Sequence, residues 1–336
     1  MKTETRKINW GILGTGTVAN NFAEDLRILA DAQILAVGSR NYASADIFAR
    51  RHDIPRVYES YQSLVNDRDI DVVYIATPHI RHKKDCVLAL NAGRNILCEK
   101  PFTINACEAQ EVISLAKKNN LFCMEGMWMR FFPLIKKVKK IIENGTIVKV
   151  KMLKADFGVK SEFDINNRFY NPELGGGALL DRGIYPLSLA FLLMGSPIEI
   201  QSTASITNSG IDEQSSVTMK YLGDKIAVLS QSLSSFCSNE ALIMGSEGSI
   251  KIHSYFFCPG KISLFSYYDY KTIEIEEPII GNGYQYEAQE VMNSINLEYI
   301  ESSIMPQNET LKIMKTLDVI REQWGLVYPQ ERQLNR

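Results

Sequence analysis

A glycine-rich turn near the start of the chain constrains the fold more than any other feature. The apolar run from Ile8 to Leu13 predicts a buried strand, which leads directly into G-T-G-T-V-A at 14–19. Apolar residues at helical spacing follow between Val18 and Leu29. Strand, tight turn and helix in this order form the context in which G-x-G-x-x-G/A binds a dinucleotide.

Each position of this turn has a physical reason. Gly14 permits the sharp turn, Gly16 lets a pyrophosphate approach the backbone, and Ala19 lets the helix pack closely on the strand. The pyrophosphate would accept hydrogen bonds from free N–H groups at the helix N-terminus. We therefore expect five contiguous residues to bind the cofactor: Gly14, Thr15, Gly16, Thr17 and Val18. The alternative is a glycine turn without a ligand.

The end of the second predicted strand, Gln33 to Gly38, indicates which dinucleotide binds. NAD-specific folds place an acidic residue there to bind the ribose 2′-hydroxyl, but this strand ends Gly38-Ser39-Arg40. Ser39 can donate to a phosphate and Arg40 can pair with it. The sequence therefore favours NADP(H) over NAD(H). The alternative is that Arg40 is only a solvated cation.

Composition excludes several other classes of protein. The net charge is −2 and no basic tract with interleaved aromatics occurs, which argues against nucleic acid. The six cysteines show no metal-binding spacing, so no metal is expected. No apolar stretch looks long enough to span a bilayer, and the first residues lack an apolar signal core. We expect a cytoplasmic protein that acts on a small molecule.

The chain predicts two architectures in succession. Strands and helices alternate through about Asn144, which is typical of a doubly wound parallel sheet, a Rossmann domain. After this point one helix, Ala178 to Met194, interrupts a series of strands that predicts a large, mostly antiparallel open sheet in an α+β domain. The later strands are expected at Ile147–Phe157, Glu199–Ile206, Ser215–Tyr221, Lys225–Leu233, Ala241–Gly245, Ser249–Ile252, Ile262–Tyr268 and Thr272–Ile275.

These architectures suggest a division into three segments. Residues 1–126 would bind the cofactor, 127–307 would bind substrate, and a helix within 308–336 would pack back on the first domain. An open sheet with helices on one side leaves its other face to be covered. We therefore expect a homodimer formed through the C-terminal sheet.

Residues that follow the predicted strands are the candidates for chemistry, because ligands of doubly wound folds bind at the carboxyl ends of the strands. Lys100 lies in Glu99-Lys100-Pro101, where the proline restricts its backbone and also admits a cis bond. A lysine near a nicotinamide can donate to a substrate hydroxyl or lower the pKa of a neighbouring acid. The alternative is a surface lysine that pairs with Glu99.

A second candidate group follows three consecutive glycines at 175–177. Asp181 and Tyr185 are four residues apart and should share a helix face. A tyrosine acts as a general acid or base when a nearby cation, here Lys100, favours its ionised form. The alternative is that Tyr185 packs in a core and Asp181 only stabilises the first turn of the helix.

Other candidates lie near the same strand ends. His79 and His82 would line the cofactor or cap a helix, since no third ligand for a metal is close in sequence. Trp128 and Phe157 could form an apolar wall, although core packing is the usual role of aromatics. Tyr286 could reach the substrate from the helix that follows the sheet.

Several motifs, in order along the chain, resemble one family. They are I-x-W-G-I-L-G-T-G, A-T-P-H-x-x-H, C-E-K-P-F, E-G-M-W-x-R-F-x-P, A-D-F-G and G-G-G-A-L-L-D-x-G-x-Y-P. Together they resemble the Gfo/Idh/MocA oxidoreductases, and within them the branch of dimeric dihydrodiol dehydrogenase and NADP-dependent D-xylose dehydrogenase. Arg182 departs from the pattern, because the family usually has a small or aliphatic residue there.

The resemblance implies roles for individual residues. Lys100 would be the lysine of the E-K-P motif, Tyr185 the proton donor or acceptor, and Asp181 its neighbour. The substrate would contact Lys100, Trp128, Phe157, Asp181, Tyr185 and Tyr286. Further cofactor contacts would come from Ser39, Arg40, Thr77, Pro78, His79, His82, Glu99, Lys100, Pro101, Trp128 and Arg130.

The resulting hypothesis is an NADP(H)-dependent dehydrogenase that acts on a CH–OH group of a sugar, cyclic polyol or trans-diol. Two alternatives keep the nucleotide without net redox turnover. One is a non-catalytic NADP-binding sensor, and the other is a redox-neutral enzyme with tightly bound NAD(P).

Overall fold

A computed structural model describes residues 6–333 of the 336-residue chain. By its internal contacts the chain forms two compact units. The first unit comprises the residues up to Trp128 together with Ile280–Leu311, and the second comprises Met129–Ile279 together with the residues from Lys312 onward.

The first unit contains a parallel sheet of six strands in the order β3-β2-β1-β4-β5-β6. This order is that of a doubly wound dinucleotide-binding fold, and the switch in strand order lies next to β1. The strands are β1 (Ile8–Leu13), β2 (Ala32–Gly38), β3 (Arg56–Tyr58), β4 (Val72–Ile75), β5 (Asn95–Glu99) and β6 (Cys123–Gly126). The predicted Rossmann sheet is confirmed.

Helices connect these strands as crossovers. They are α1 (Thr17–Leu26), α2 (Tyr42–Arg51), α3 (Tyr61–Val65), α4 (His82–Asn91) and α5 (Ala106–Lys118), and α8 (Tyr284–Asn296) packs on α1. Asn105 caps α5, because its side chain accepts a 2.9 Å hydrogen bond from the Glu108 N–H. The strands carry continuous apolar runs because both faces of a parallel sheet are covered.

The second unit contains an eight-stranded sheet in the order β14-β13-β12-β11-β7-β10-β9-β8. Neighbouring strands are antiparallel except β7 and β10, which are parallel. The strands are β7 (Val150–Gly158), β8 (Glu199–Ile206), β9 (Asp212–Tyr221), β10 (Lys225–Ser232), β11 (Ala241–Gly245), β12 (Gly248–Ile252), β13 (Lys261–Ser266) and β14 (Thr272–Glu276). The predicted large, mostly antiparallel sheet is confirmed.

The remaining helices are α6 (Pro133–Glu143), α7 (Ile184–Met194), α9 (Gln307–Trp324) and α10 (Pro329–Gln333). α7 packs on β7 and β10. Our prediction of one α-helix from Ala178 to Met194 is wrong in its first turn, because Leu179–Gly183 forms a π-helical turn before α7 begins. A Cβ atom at Gly183 would lie 2.9 Å from Gln231 Cδ, so this turn packs closely on β10.

The division into units differs from the predicted boundaries in the last part of the chain. Residues 280–311 belong to the first unit, where Asn282 and Tyr284 donate backbone hydrogen bonds to the Asp25 carboxylate on α1. Residues from Lys312 onward belong to the second unit, where Gln323 donates to the Ile200 carbonyl. Asp25 on α1 binds a segment that is about 250 residues away in the sequence. No local pattern indicates such a contact, so the sequence did not predict that residues 280–311 belong to the first unit.

One helical stretch, Pro172–Met194, is long and apolar enough by length and composition to cross a membrane. Our expectation that the chain has no such stretch is wrong. Within the most apolar window of this stretch, 89% is buried inside the protein, as in the core helix of a globular unit.

Candidate active site

The glycine turn of the first unit has the geometry that its sequence predicts. Gly14 has φ +105°, and a Cβ there would lie 2.5 Å from the Ala76 carbonyl oxygen. A side chain at Gly16 would meet no atom within 4 Å, so the space above this residue is open. α1 begins at Thr17 without a capping side chain, and its first N–H groups are available to an anion. This cradle fits a dinucleotide pyrophosphate.

The end of β2 presents a polar cluster that fits a phosphate. Ser39 is buried and its Oγ accepts from the Asn41 N–H at 3.2 Å. Arg40 is exposed, and its positive charge lies near Tyr61 on α3. The Arg81 guanidinium carbon lies 5.1 Å from the Tyr61 ring centroid. Burial is the largest cause of a raised pKa at Tyr61, and the nearby charge of Arg40 opposes this shift.

His82 connects the loops that follow β4 and β5. Its ring is fully buried, with Nδ1 2.8 Å from the Pro101 carbonyl oxygen and Nε2 2.8 Å from the Thr77 carbonyl oxygen. Burial lowers the pKa of His82, and the two hydrogen bonds oppose this shift. The His79 ring centroid is 5.7 Å away. His82 therefore joins the two loops, a role that is not among those expected from the sequence.

Lys100 follows β5 at the carboxyl edge of the sheet and is half-buried. The Lys100–Pro101 peptide is cis. The preceding Glu99 is buried, and its carboxylate accepts from the Tyr74 hydroxyl at 2.5 Å and from the Lys100 N–H at 3.2 Å. Burial raises the pKa of Tyr74, so this phenol acts as a neutral donor to Glu99. Glu99 is thus a buried support of the loop that carries Lys100.

Two more buried carboxyl groups lie in this part of the first unit. Glu125 accepts from the Phe102 N–H at 3.2 Å, in the loop after Lys100. Glu287 on α8 is fully buried, and burial and then the nearby Glu99 and Glu125 raise its pKa. Like charges at close range in an apolar interior cannot all be ionised. Burial and these neighbouring carboxyl groups therefore favour the protonated form of Glu287.

Of the two predicted aromatic residues of the first unit, Trp128 stacks on a tyrosine that was not predicted. The Trp128 ring is nearly parallel to the Tyr284 ring, with centroids 4.7 Å apart and an interplanar angle of 6°. Tyr286, the predicted substrate contact, is half-buried on α8. Sequence reasoning missed Tyr284, which precedes it by two residues.

Arg130 lies in the second unit and is 1% exposed. Its Nε donates to Ser188 Oγ at 2.8 Å and its Nη2 donates to the Ser188 carbonyl at 2.9 Å. The guanidinium is thus bound to α7 inside the protein, and we leave Arg130 out of the cofactor contacts proposed below.

In the second unit, the three glycines at 175–177 lead into the π-helical turn. Gly177 has φ +121°, and a Cβ there would lie 2.3 Å from Asp212 Oδ1. The Asp212 carboxylate accepts from the Leu179 N–H at 2.7 Å and so holds the first residue of the turn. Burial raises the pKa of Asp212 to about 7. Asp212 is the first residue of β9. Nothing in the sequence around it indicates that its carboxylate holds the π-helical turn.

Asp181 lies on the π-helical turn between two arginines. Its Oδ1 is 3.1 Å from Nη1 of Arg168, a half-exposed loop residue, and its Oδ2 is 3.9 Å from Nε of the buried Arg182. Sequence reasoning singled out Asp181 and Arg182 but missed Arg168, which has no motif of its own.

Tyr185 opens α7 and is 6% exposed. Its ring centroid lies 5.6 Å from that of Phe157 in an edge-on arrangement and 5.1 Å from that of Phe257. Phe157 and Phe257 are themselves 4.4 Å apart. The predicted pair of Tyr185 and Phe157 is thus brought together, and the structure adds Phe257, which lies in a loop between β12 and β13. Tyrosine is one of the side chains that can transfer a proton to or from a substrate, and Asp181 precedes this tyrosine by four residues.

Comparison with known proteins places this geometry in a family. Residues 8–127 match the oxidoreductase family with an NAD-binding Rossmann fold, and residues 135–251 match the C-terminal domain of the same family. A curated relative from Danio rerio, named trans-1,2-dihydrobenzene-1,2-diol dehydrogenase, is 36% identical over 97% of this chain and 99% of its own.

Two solved structures share the fold. One is a 3-ketoreductase from Actinomadura kijaniata in complex with NADP and TDP-benzene, with a TM-score of 0.86 at 21% identity over 94% of this chain and 98% of that one. The other is a levoglucosan dehydrogenase in complex with NADH and levoglucosan, with a TM-score of 0.87 at 20% identity over 95% and 98% of the two chains. From these matches, the chain belongs to the Gfo/Idh/MocA family of oxidoreductases.

Proposed function

We propose that this chain is an NADP(H)-dependent oxidoreductase that transfers a hydride between the nicotinamide and a CH–OH group of a sugar, cyclic polyol or trans-diol. The observation that carries the proposal is Tyr185, a phenol in an aromatic wall with Phe157 and Phe257, four residues after Asp181, which pairs with Arg168. The open glycine cradle of the first unit and the relative's name as a diol dehydrogenase support it.

The proposed chemistry assigns one task to each residue. Bound nicotinamide would supply the hydride acceptor or donor. In oxidation Tyr185 takes the hydroxyl proton of the substrate, and Lys100 donates a hydrogen bond to the same oxygen, which stabilises its developing negative charge. Asp181, with Arg168, offers an acceptor and donors to a neighbouring hydroxyl. The proton leaves to solvent, so alcohol and NADP⁺ give carbonyl, NADPH and H⁺.

The walls of the second unit indicate the shape of the substrate. Phe157 and Phe257 present aromatic faces, whereas Asp181 and Arg168 present charged groups. A ring with one apolar face and vicinal hydroxyl groups would satisfy both kinds of surface. Trp128 and Tyr286, in the first unit, are the further substrate contacts that we propose.

A panel assay tests the proposed function. Purified protein is mixed with NADP⁺ and a series of aldoses, inositols and trans-diols, and NADPH formation is followed by absorbance. Steady NADPH production with at least one CH–OH donor is expected. NADP⁺ binding without turnover across the panel would instead favour a sensor, and conversion of a glycoside without net NADPH would favour a redox-neutral enzyme.

The cofactor contacts that we propose come from five segments. The turn at 14–18 would hold the pyrophosphate, and Ser39 and Arg40 would bind the 2′-phosphate. The remaining contacts would come from the loops after β4 and β5, namely Thr77, Pro78, His79, Lys100 and Pro101, which His82 and Glu99 support, and from Trp128.

We predict tighter binding of NADPH than of NADH. No acidic side chain ends β2, and the exposed Arg40 guanidinium offers a charge partner to a phosphate dianion. Replacing Arg40 with alanine should weaken NADPH binding by about tenfold or more while leaving NADH binding nearly unchanged. Calorimetric titration of both cofactors measures this, and tighter NADH binding by the unmodified protein would contradict the prediction.

We also propose a homodimer formed through the outer face of the eight-stranded sheet. α7 packs on the face that Ala227 and Leu229 of β10 bury, whereas Ile226 and Val228 of the same strand are 37% and 36% exposed on the other face. Exposed aliphatic side chains on a central strand are typical of an interaction surface.

The mass of the protein in solution tests this proposal. The unmodified chain should sediment as a dimer, and Val228→Lys should shift it towards the monomer because the lysine charge would be buried without a partner. Leu222→Lys is the matched control, since Leu222 is 76% exposed at the turn between β9 and β10. A monomeric unmodified protein would rule the proposed interface out.

A further inference from the structure

One charged residue beside the proposed site has no task in the reaction described above. Arg182 is 4% exposed, and its guanidinium makes all its described hydrogen bonds to other segments of the second unit. Nη1 donates to the carbonyl oxygens of Val159 and Ser232, and Nη2 donates to Ser161 Oγ at 2.8 Å. Arg182 thus joins the π-helical turn, the loop after β7 and the end of β10.

The same guanidinium contacts two aromatic rings. Its carbon atom lies 5.8 Å from the ring centroid of Phe157 and 5.4 Å from that of Phe169. Phe169 is held further, because its carbonyl accepts from the Gly177 N–H at 2.9 Å and the Arg168 guanidinium carbon lies 4.3 Å from its ring. Arg182 therefore contacts the loop at 159–175 in two places, at the first residues of the loop and at Phe169.

The charge of Arg182 has a local partner. Burial is the largest cause of a lowered pKa at Arg182, and Asp181 opposes the shift; a guanidinium nonetheless stays charged in proteins. Its hydrogen bonds to three oxygens and the Asp181 carboxylate at 3.9 Å offset the cost of burying this charge. Asp181 in turn pairs with Arg168 from the loop. A buried cation therefore organises the ion pair and the aromatic wall together.

We infer that Arg182 is a positioning residue, whose guanidinium fixes the loop at 159–175 so that Phe157, Arg168 and Asp181 hold the substrate at Tyr185. This inference rests on the proposed function for the location of the substrate. Arg182 acts through these residues and does not itself touch the reacting atoms. Loss of Arg182 should therefore weaken substrate binding. The effects on the rate of the chemical step and on cofactor binding should be smaller.

The first test compares Arg182→Met with Arg182→Lys in the full-length protein. Arg182→Met removes the positive charge and the N–H donors of the guanidinium but keeps a side chain of similar length. This variant should raise KM for the best substrate of the panel by about tenfold or more, with a smaller change in kcat. NADPH affinity should stay the same. Arg182→Lys keeps one charged donor group and should restore part of the KM. Hydrogen exchange of the amides at 159–170 should be faster in Arg182→Met.

Arg94→Met is the matched control. Arg94 also donates to backbone carbonyls, those of Val65 and Ile70, but it lies in the first unit before the amino end of β5. The Arg94→Met variant should have a lower free energy of unfolding but an unchanged KM for the substrate. An Arg182→Met protein that folds and keeps both the KM and the loop exchange of the unmodified protein would overturn the inference.

A milder variant covers the case in which Arg182→Met does not fold. Ser161→Ala removes one acceptor of the guanidinium and should raise KM in the same direction by a few-fold; an unchanged KM would count against Arg182 as a positioning residue. Failure of the proposed function has a different signature. No substrate of the panel would then be turned over, while loop exchange in the Arg182 or Ser161 variants would still report whether the guanidinium fixes the loop.

Discussion

Replacing Tyr185 with phenylalanine should lower kcat by about 10²- to 10⁴-fold, the usual contribution of a positioned general acid or base. The phenyl ring keeps its contacts with Phe157 and Phe257, so the aromatic wall should be retained. Loss of the hydroxyl should change the free energy of unfolding by only about 1 kcal/mol. Initial rates with NADP⁺ and the best substrate of the panel measure the effect.

Two controls separate a catalytic role of Tyr185 from a structural one. NADPH affinity should be nearly unchanged, because the glycine cradle belongs to the first unit. Tyr221→Phe removes the hydroxyl of another buried tyrosine of the second unit, 1% exposed on β9, and should keep normal turnover. Turnover of Tyr185→Phe equal to that of the unmodified protein would refute the proton-transfer role of this phenol.

The sequence could predict the parts of this protein that depend on local pattern. Both faces of the parallel sheet are buried, so β1 and β4 appear as mostly apolar runs. The glycine turn could also be predicted from the sequence, because few residues other than glycine adopt the conformation of Gly14, at φ +105°. Such features are encoded within a few neighbouring residues.

The parts that could not be predicted depend on contacts between distant segments. Arg168 and Asp181 meet because the loop folds back over the three glycines, and no spacing encodes that meeting. The π-helical turn was missed for the same reason, since Asp212 on β9 holds its first N–H and Gln231 on β10 leaves no room for a side chain at Gly183. Tertiary packing there overrides the helical pattern of A-L-L-D-R-G.

Glu99 shows how the structure changes the meaning of a residue that the sequence identified. As a surface residue it could simply pair with Lys100. It is instead buried, with its carboxylate bonded to the Tyr74 hydroxyl and to the backbone N–H of Lys100. Glu125 and Glu287 lie nearby, and burial together with the neighbouring carboxyl groups raises the pKa of Glu287. This arrangement supports the loop that presents Lys100, which is why we propose Lys100 as the catalytic member.

Replacing Lys100 with methionine should lower kcat by about 10²- to 10³-fold, since one donor to a developing oxyanion is worth that much in other enzymes. Methionine keeps the length and the apolar stem of the side chain but removes the charge. A nearby cation favours the ionised form of the group that exchanges the proton, so its loss should also raise the pH at which turnover appears. The pH dependence of kcat, measured for both proteins with the same substrate, shows both effects.

Lys83→Met is the matched control for this variant. Lys83 also lies in the first unit and pairs with Glu111 at 2.7 Å, but on α4, and its loss should leave the pH dependence of kcat where it was. Lys100→Arg keeps the charge and should retain the pH at which turnover appears, even if the larger guanidinium lowers the rate. If Lys100→Met lost activity without any displacement of the pH profile, Lys100 would support the loop only, and the proton exchange at Tyr185 would need another source of positive charge.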